Sequence, residues 1–324
     1  METIHAIEIL ATYFIQGLGT WLVPVMEFFS FCASEEFFML VVPILYWCLD
    51  SAVGMRVGVV VMMSSSVVDF TKMACQLARP YWIFPKVHAY ALETSFGLPS
   101  GHTQKAVAVW ATLATSFKKK WLWIVSIFMI IMIALSRIYL GVHFLSDILA
   151  GLVISILFLV LYMKFEAPVA RWAKKQPLWI IALASLAVSL APILISAAIR
   201  NANAGWQVPA GWLVTDIDPF NLEGILTLNG TLFGMLLGYA WIKRAGGFKV
   251  PGTPVQLVLR YVLGVAGVFI IRYGLKFIFP ESPDFFGYTL RFIRYGLIGL
   301  WVTGVAPIIF IKLKLSQRER PLSG

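Results

Sequence analysis

Charge is scarce in this chain. Asp, Glu, Lys and Arg together make up 13% of its 324 residues, 60% are hydrophobic, and the mean hydropathy is +0.83. That scarcity excludes both a soluble globular domain and a disordered segment, since neither accommodates so much apolar surface. Cysteine is scarcer still: Cys32, Cys48 and Cys75 are odd in number and sit in apolar segments, so they read as small core residues and not as a disulfide or metal framework. Carboxylates are nowhere clustered as Mg2+ would require, and no Cys/His spacing suits Zn2+, so no metal or other cofactor is expected. The apolar runs do not alternate, which excludes a membrane β-barrel. Met1-Glu2-Thr3 lacks a basic region and no small-residue cleavage site follows, so the first helix is expected to direct insertion itself.

What is present is long apolar sequence. Hydrophobic runs at 4–31, 36–49, 52–74, 101–117, 121–140, 144–163, 178–198, 222–242, 255–279 and 290–311 predict an all-α, polytopic membrane helical bundle of about ten spans. Residues 36–49 are short for a span, and 4–31 carries Glu8, Gln16, Gly17, Gly19 and Glu27, as a tilted or interfacial segment would. The division falls near 164–176: six helices in 1–165 form one region, and four in 176–324 form an extension whose role is not legible. The longest hydrophilic connection, 200–221, reads as an ordered outer loop.

The net charge of +10 is explained by side of the membrane. With alternating spans, one face carries 16 of the 26 basic residues against five of the 16 acids, including the run Lys118-Lys119-Lys120. Excess Lys and Arg in short loops marks the cytoplasmic side, so both termini are expected inside. Anionic-lipid contact is secondary, and nucleic acid is not an expected partner.

Three stretches carry the chemistry: Lys72-x6-Arg79-Pro80, Pro99-Ser100-Gly101-His102, and Ser136-Arg137-x5-His143-x3-Asp147. On the ten-span map all three reach the face opposite the basic loops, so the site is expected on the non-cytoplasmic side. Lys72, Arg79 and Arg137 supply fixed cations for a phosphate, the arginines as planar donors and the lysine as a point charge. Pro99 and Gly101 flank Ser100 in a turn opening a helix, where backbone N–H groups and the hydroxyl can face an oxyanion. Asp147 lies one helical turn after His143 and can hold one ring nitrogen as N–H, freeing the other to attack phosphorus. His102 is then left to protonate the departing oxygen and to deprotonate the hydrolytic water.

Each motif alone has a plainer reading. Lys72 could pair with Asp69, Arg79-Pro80 and Ser136-Arg137 could be snorkelling helix ends, and His143 with Asp147 could be a local hydrogen bond. Their order, spacing and shared face favour a joint site. Lys105 could reach phosphate or lie at the surface, His5 and His88 have no evident partners, and Trp121, Trp123, Trp206 and Trp212 read as interface anchors. The 81–98 loop joins two motifs and could shape an entrance.

The three motifs resemble the signature of the type 2 phosphatidic acid phosphatase superfamily, which includes lipid phosphate phosphatases, glucose-6-phosphatase and the vanadium haloperoxidases. The resemblance covers about residues 1–165 and implies the same roles: His143 as nucleophile, Asp147 as the carboxylate that orients it, His102 as acid and base, and Lys72, Arg79, Ser100, Gly101 and Arg137 around the phosphate. The run from Glu35 through Tyr46-Trp47 and Asp50, with Phe96-Gly97-Leu98, looks most like the branch of sphingosine-phosphate phosphatases and glucose-6-phosphatase. Sphingosine-phosphate phosphatases typically have Ser-Thr-His where this chain has Ser100-Gly101-His102, so substrate is not carried over.

The expectation is therefore an integral membrane phosphatase, metal-independent, hydrolysing a lipid phosphate monoester or terminal diphosphate in the bilayer. A lipid phosphotransferase or sugar-phosphate phosphatase would use the same residues, and a transporter or scramblase with a relic site is the non-enzyme alternative. Oligomeric state is not legible. Arg272 with Lys276, and Arg291 with Arg294, can each share a helical face on the expected catalytic side. They are expected either to pair with Glu281, Asp284 or lipid phosphates, or to form a second contact for an anionic head group.

Overall fold

The computed structural model describes residues 2–280 and 282–319, in which every regular element is a helix. Among the described residues seven helices are long and apolar enough to cross a membrane: Ser51–Ile83, Lys120–Tyr139, Leu145–Lys175, Leu178–Ala202, Glu223–Arg244, Pro254–Ile278 and Phe285–Lys312. An eighth span results if the pair Ile7–Gln16 and Thr20–Phe31 counts as one, although it is bent by 86°. The bend sits at Gly19, whose φ of +106° few other residues adopt.

Of the ten spans expected, seven or eight are met by helices of membrane-crossing length. Residues 101–117 are helical but number only seventeen, and Glu35–Ile44 with Leu45–Leu49 only fifteen. At about 1.5 Å per residue these reach about 25 Å and 22 Å against a ~30 Å hydrocarbon layer, the first at the short end of the range for a span and the second below it.

Two compact units interleave along the chain. The first comprises Met1–Phe37, Ser64–Leu161 and Ile195–Leu222, and the second Phe38–Met63, Tyr162–Leu194 and Glu223–Gly324. The first packs small apolar groups around the functional loops: Met26 with Tyr139, Leu140 and Val142, and Ile9 with Val87 and Phe144. Gln16 donates to the carbonyls of His88 and Tyr139 at 2.8 Å each, tying the bent N-terminal pair to the loop after Ile83 and to the end of Lys120–Tyr139.

The second unit has a larger core, with Tyr46, Trp47, Met235, Val268, Ile298 and Phe310 among its buried members. Gly230, Gly234 and Gly238 repeat every fourth residue on Glu223–Arg244 and lie against Phe285–Lys312. A Cβ at 234 would come within 1.8 Å of the Gly296 carbonyl oxygen, so the two backbones touch where larger residues would hold them apart. Arg260 is buried, with its guanidinium donating to the carbonyls of Trp47, Val250 and Leu315.

Candidate active site

The helix Ser51–Cys75 carries Lys72 in its last turn, and after a short non-helical stretch Arg79 caps the turn Pro80–Ile83. The irregular loop 84–99 then leads to Ser100, which opens the helix beginning at Gly101. Arg137 lies in the last turn of Lys120–Tyr139, and His143 falls in the tight turn before Leu145–Lys175, whose first turn holds Asp147. Four helix ends therefore deliver the predicted residues, all within the first compact unit.

His143 is 1% exposed and held from both sides. Its Nδ1 lies 3.1 Å from Asp147 Oδ2, and its Nε2 lies 3.1 Å from Arg79 Nη1. Asp147 Oδ2 also accepts from the Phe144 backbone N–H at 2.9 Å, and the Asp147 carbonyl accepts from Ser100 N–H at 2.9 Å. The carboxylate is acceptor-only when ionised, so Nδ1 carries the proton and Nε2 keeps its lone pair. Burial and the Arg79 and Arg137 guanidiniums push the His143 imidazole well below its ordinary pKa, which keeps it neutral.

Arg79 is completely buried. Nε donates to the Ser95 carbonyl at 2.7 Å, Nη1 to the Val142 carbonyl at 2.9 Å, and Nη2 to Ser95 Oγ at 3.0 Å and the Phe96 carbonyl at 3.1 Å. Lys72 donates to Ser95 Oγ at 3.0 Å and not to Asp69, the partner open to it in the sequence. Arg137 donates from Nη1 to Ser30 Oγ and from Nη2 to Glu93 Oε1, while its Nε is buried with no hydrogen-bond partner. Glu93 Oε2 lies 3.8 Å from Arg79 Nη2. Burial opposes ionisation of Glu93, but the two guanidiniums outweigh it and hold the carboxyl far below the usual range.

Ser100 is also completely buried, and its hydroxyl caps its own helix, accepting from Thr103 N–H at 3.4 Å and Thr103 Oγ1 at 3.0 Å. Both contacts use the hydroxyl as acceptor and leave its O–H as a donor. A Cβ at Gly101 would meet nothing nearer than Val68 at 3.9 Å, so packing does not demand glycine there. Gly151 is different: its Cβ would fall 2.7 Å from the Ser100 carbonyl oxygen, which packs Leu145–Lys175 directly on the Ser100 turn. His102 is half-buried, and its imidazole makes no hydrogen bond among the described residues.

Sequence reasoning missed Glu93 and Ser95. It also took Trp206 and Trp212 for interface anchors, whereas both pack in an aromatic cluster with Trp82, Phe96 and Phe220, Trp82 and Trp212 having centroids 5.0 Å apart. Leu213 N–H donates to the Trp82 carbonyl at 2.6 Å, so the 200–221 loop is fastened beside Phe96 and the Arg79 contacts. Lys105 pairs with Glu35 at 3.7 Å, and His5 stacks on Phe144 with Nδ1 3.3 Å from Glu8. Cys75 is exposed, unlike the core residue expected.

Arg272, Lys276, Arg291 and Arg294 belong to the second unit. Arg291 pairs with Glu223 at 2.7 Å and donates to Thr227, Arg272 contacts Met39 Sδ and lies over the Tyr273 ring, and Arg294 is buried over Tyr295. Glu281, one of the partners considered above, lies outside the described residues. Among the described residues no three His, Cys, Asp or Glu side chains are grouped as metal ligands.

Residues 53–171 match the model of the PAP2 superfamily, and residues 226–318 match that of a PAP2 superfamily phosphatase, transmembrane extension. The first range contains both histidines, Asp147 and all three cations. The chain belongs to the PAP2 superfamily, in its membrane-associated branch. Within that superfamily it is similar to phosphatidylglycerophosphatase B of Bacillus subtilis, 33% identical over 28% of this chain and 47% of that protein. It is similar also to glucose-6-phosphatase catalytic subunit 1 of Haplochromis xenognathus, 25% identical over 55% of this chain and 76% of that protein. A third relative, sphingosine-1-phosphate phosphatase 1 of Rattus norvegicus, is 22% identical over 89% of this chain and 73% of that protein. The match to the Bacillus protein thus spans about half its length. The aromatic loop bearing Trp206 and Trp212 falls between the two PAP2-matched ranges.

Proposed function

We propose that this protein is an integral membrane phosphatase that hydrolyses a lipid phosphate monoester or terminal diphosphate through a covalent phosphohistidine on His143. The observation that carries this reading is the two-sided hold on His143: Asp147 on Nδ1, and on the other nitrogen the guanidinium of Arg79, part of a buried cation cluster with Lys72 and Arg137.

The substrate phosphate binds among Lys72, Arg79 and Arg137, with the backbone at Gly101 and His102 completing the cradle. These groups neutralise the equatorial oxygens, which is most of what phosphoryl transfer asks of a protein. His143 Nε2 attacks phosphorus as the bond to the leaving oxygen breaks, and His102 delivers a proton to that oxygen. Positive charge then developing on the His143 ring is balanced by Asp147. In the second step His102 takes a proton from water, the water oxygen bonds to phosphorus and the P–N bond breaks, releasing inorganic phosphate and neutral His143. The cationic side chains carry out the charge neutralisation, so no step calls for a metal.

A lipid fits because the site is built from the ends of membrane-length helices, so an acyl or prenyl chain can remain in the bilayer while its phosphate reaches the cations. The named relatives act on phosphates of differing head groups, a lipid among them, which leaves the phosphate as the shared element. We place the site on the non-cytoplasmic face with cytoplasmic termini, a reading in which 101–117 carries the chain across the membrane between the Ser100 turn and the Lys118–Lys120 loop.

The test is phosphate release from phosphatidate, phosphatidylglycerophosphate, a sphingoid-base phosphate and a polyprenyl diphosphate by purified protein in detergent, with and without EDTA. Release from at least one lipid, unaffected by EDTA and blocked by vanadate, is the expected result. Activity lost in EDTA and restored by Mg2+ or Zn2+ would overturn the mechanism.

A further inference from the structure

The loop 93–96 occupies the whole cation cluster. Arg137 spends one guanidinium nitrogen on the Glu93 carboxylate, and that carboxylate's second oxygen faces Arg79. Ser95 Oγ takes Lys72 and Arg79 together, and the Ser95 and Phe96 carbonyls take two further donors of Arg79. The remaining Arg79 nitrogen rests against Nε2 of His143, where the attacking lone pair is directed. Glu93 itself is set by Tyr81, whose hydroxyl accepts from Glu93 N–H and donates to its carbonyl, both at 2.9 Å. The carboxylate is a quarter exposed, so it has a route out, whereas the arginines it meets are almost wholly buried.

A carboxylate and a phosphate face use the same guanidinium donors in the same planar geometry. We propose that Glu93 is a built-in stand-in for the substrate phosphate: it neutralises Arg79 and Arg137 while the site is unliganded, and the incoming phosphate exchanges with it. This rests on the phosphatase reading above and adds to it a competing internal anion. Exchange releases Glu93 toward solvent, gives Arg79 and Arg137 a phosphate oxygen each, and draws the Arg79 donor away from Nε2, so the nucleophile is unmasked only when a phosphate is there to be attacked. The buried, unbonded Nε of Arg137 is a donor that the carboxylate leaves unused and a phosphate with more acceptor oxygens can take. Apparent affinity for any phosphate-like anion is lowered by the fraction of molecules in which Glu93 holds the cradle.

The experiment compares wild type, Glu93→Gln and Glu93→Asp, with orthovanadate as probe, by inhibition of turnover and by the thermal shift that vanadate produces. Removing the competing charge in Glu93→Gln should lower the vanadate inhibition constant by about tenfold, lower kcat and KM together through slower phosphate release, and lower Tm in a way that vanadate restores more than in wild type. Glu93→Asp, which keeps the charge on a shorter arm, should fall between the two. A vanadate inhibition constant that is unchanged or raised in Glu93→Gln, with no added thermal rescue, would mean that Glu93 only positions the arginines and would overturn the proposal. Should Glu93→Gln fail to fold even in vanadate, Glu93→Asp decides by the same sign of change. Wild-type protein that releases phosphate but shows no tightening in either variant refutes this proposal alone; wild-type protein that neither turns over any phosphate nor shifts with vanadate refutes the phosphatase reading instead.

Discussion

Arg79 Nη1 and His143 Nε2 lie 3.1 Å apart in the interior of the first unit, so the guanidinium proposed to bind the phosphate also touches the nitrogen proposed to attack it. Arg79→Lys keeps a charge but forfeits the planar fork that also satisfies the Ser95, Phe96 and Val142 carbonyls. Each buried carbonyl left without its donor costs about 1–3 kcal/mol. The expected outcome is a fall of at least ~100-fold in kcat/KM together with a lowered Tm. Retention of activity within a few-fold, measured on whichever lipid phosphate is turned over best, would separate Arg79 from the chemistry.

His102 differs from His143 in being half-buried and free of hydrogen bonds among the described residues, as a group that meets the leaving oxygen should be. His102→Ala should therefore depend on the leaving group. Turnover of an alkyl phosphate should fall by about 100–10,000-fold, and formation of the phosphoenzyme from an aryl phosphate with a good leaving group by much less. Equal losses on both substrates, read by burst and steady-state kinetics, would deny His102 the acid role.

Gly151 tests the coupling between the two motif-bearing helices. In Gly151→Ala the added methyl meets the Ser100 carbonyl at 2.7 Å, backbone against side chain, so the Ser100 turn must shift away from Leu145–Lys175. Since Ser100 N–H is bonded to the Asp147 carbonyl, the shift disturbs both ends of the site. A tenfold or greater fall in kcat is expected, on the order of what sub-ångström misplacement costs. Unaltered kinetics in this variant would show that the turn tolerates displacement.

The pH behaviour follows from His143. Burial and the neighbouring guanidiniums hold its pKa well below the ordinary imidazole value of about 6.5. The folded state therefore takes up a proton less readily than the unfolded chain, and this group's contribution to stability is present above about pH 6.5 and lost as pH falls below it. Nitrogen NMR of labelled histidine should find His143 as the neutral, Nδ1-protonated tautomer at pH 6. Titration with a midpoint near 6.5 would contradict the buried, cation-flanked environment.

Much of the site was legible because its residues come in three short ordered stretches whose side-chain chemistry is complementary. His143 and Asp147 needed only helical spacing to be paired, and Arg79 and Arg137 only their proximity to helix ends. Glu93 and Ser95 were not legible, since a single carboxylate and a serine in an irregular loop carry no periodicity, and their partners are 14 to 44 residues away in sequence. Lys72 was readable as a buried cation but not as bonded to Ser95, because Asp69 one turn earlier offered an equally good local partner. Arg291 shows the same limit, its carboxylate partner Glu223 lying 68 positions earlier.

The number of spans was legible only in part. Hydropathy marks apolar length but not direction, so 4–31 could be flagged as irregular without the 86° bend at Gly19 being visible, and the seventeen residues of 101–117 and fifteen of 35–49 are shorter than the seven helices of membrane-crossing length. Trp206 and Trp212 likewise have the composition of an interface belt and the contacts of an aromatic cluster, a difference only tertiary packing sets.

The most direct measurement for the account is acid-free trapping of the enzyme during turnover of a phosphate-labelled lipid, followed by mapping of the labelled residue. The account predicts an acid-labile, base-stable label on His143 Nε2 that appears in wild type, is absent in His143→Ala, and accumulates in His102→Ala with a good leaving group. Phosphate release at the wild-type rate in His143→Ala, or a label mapped to any other residue, would contradict it.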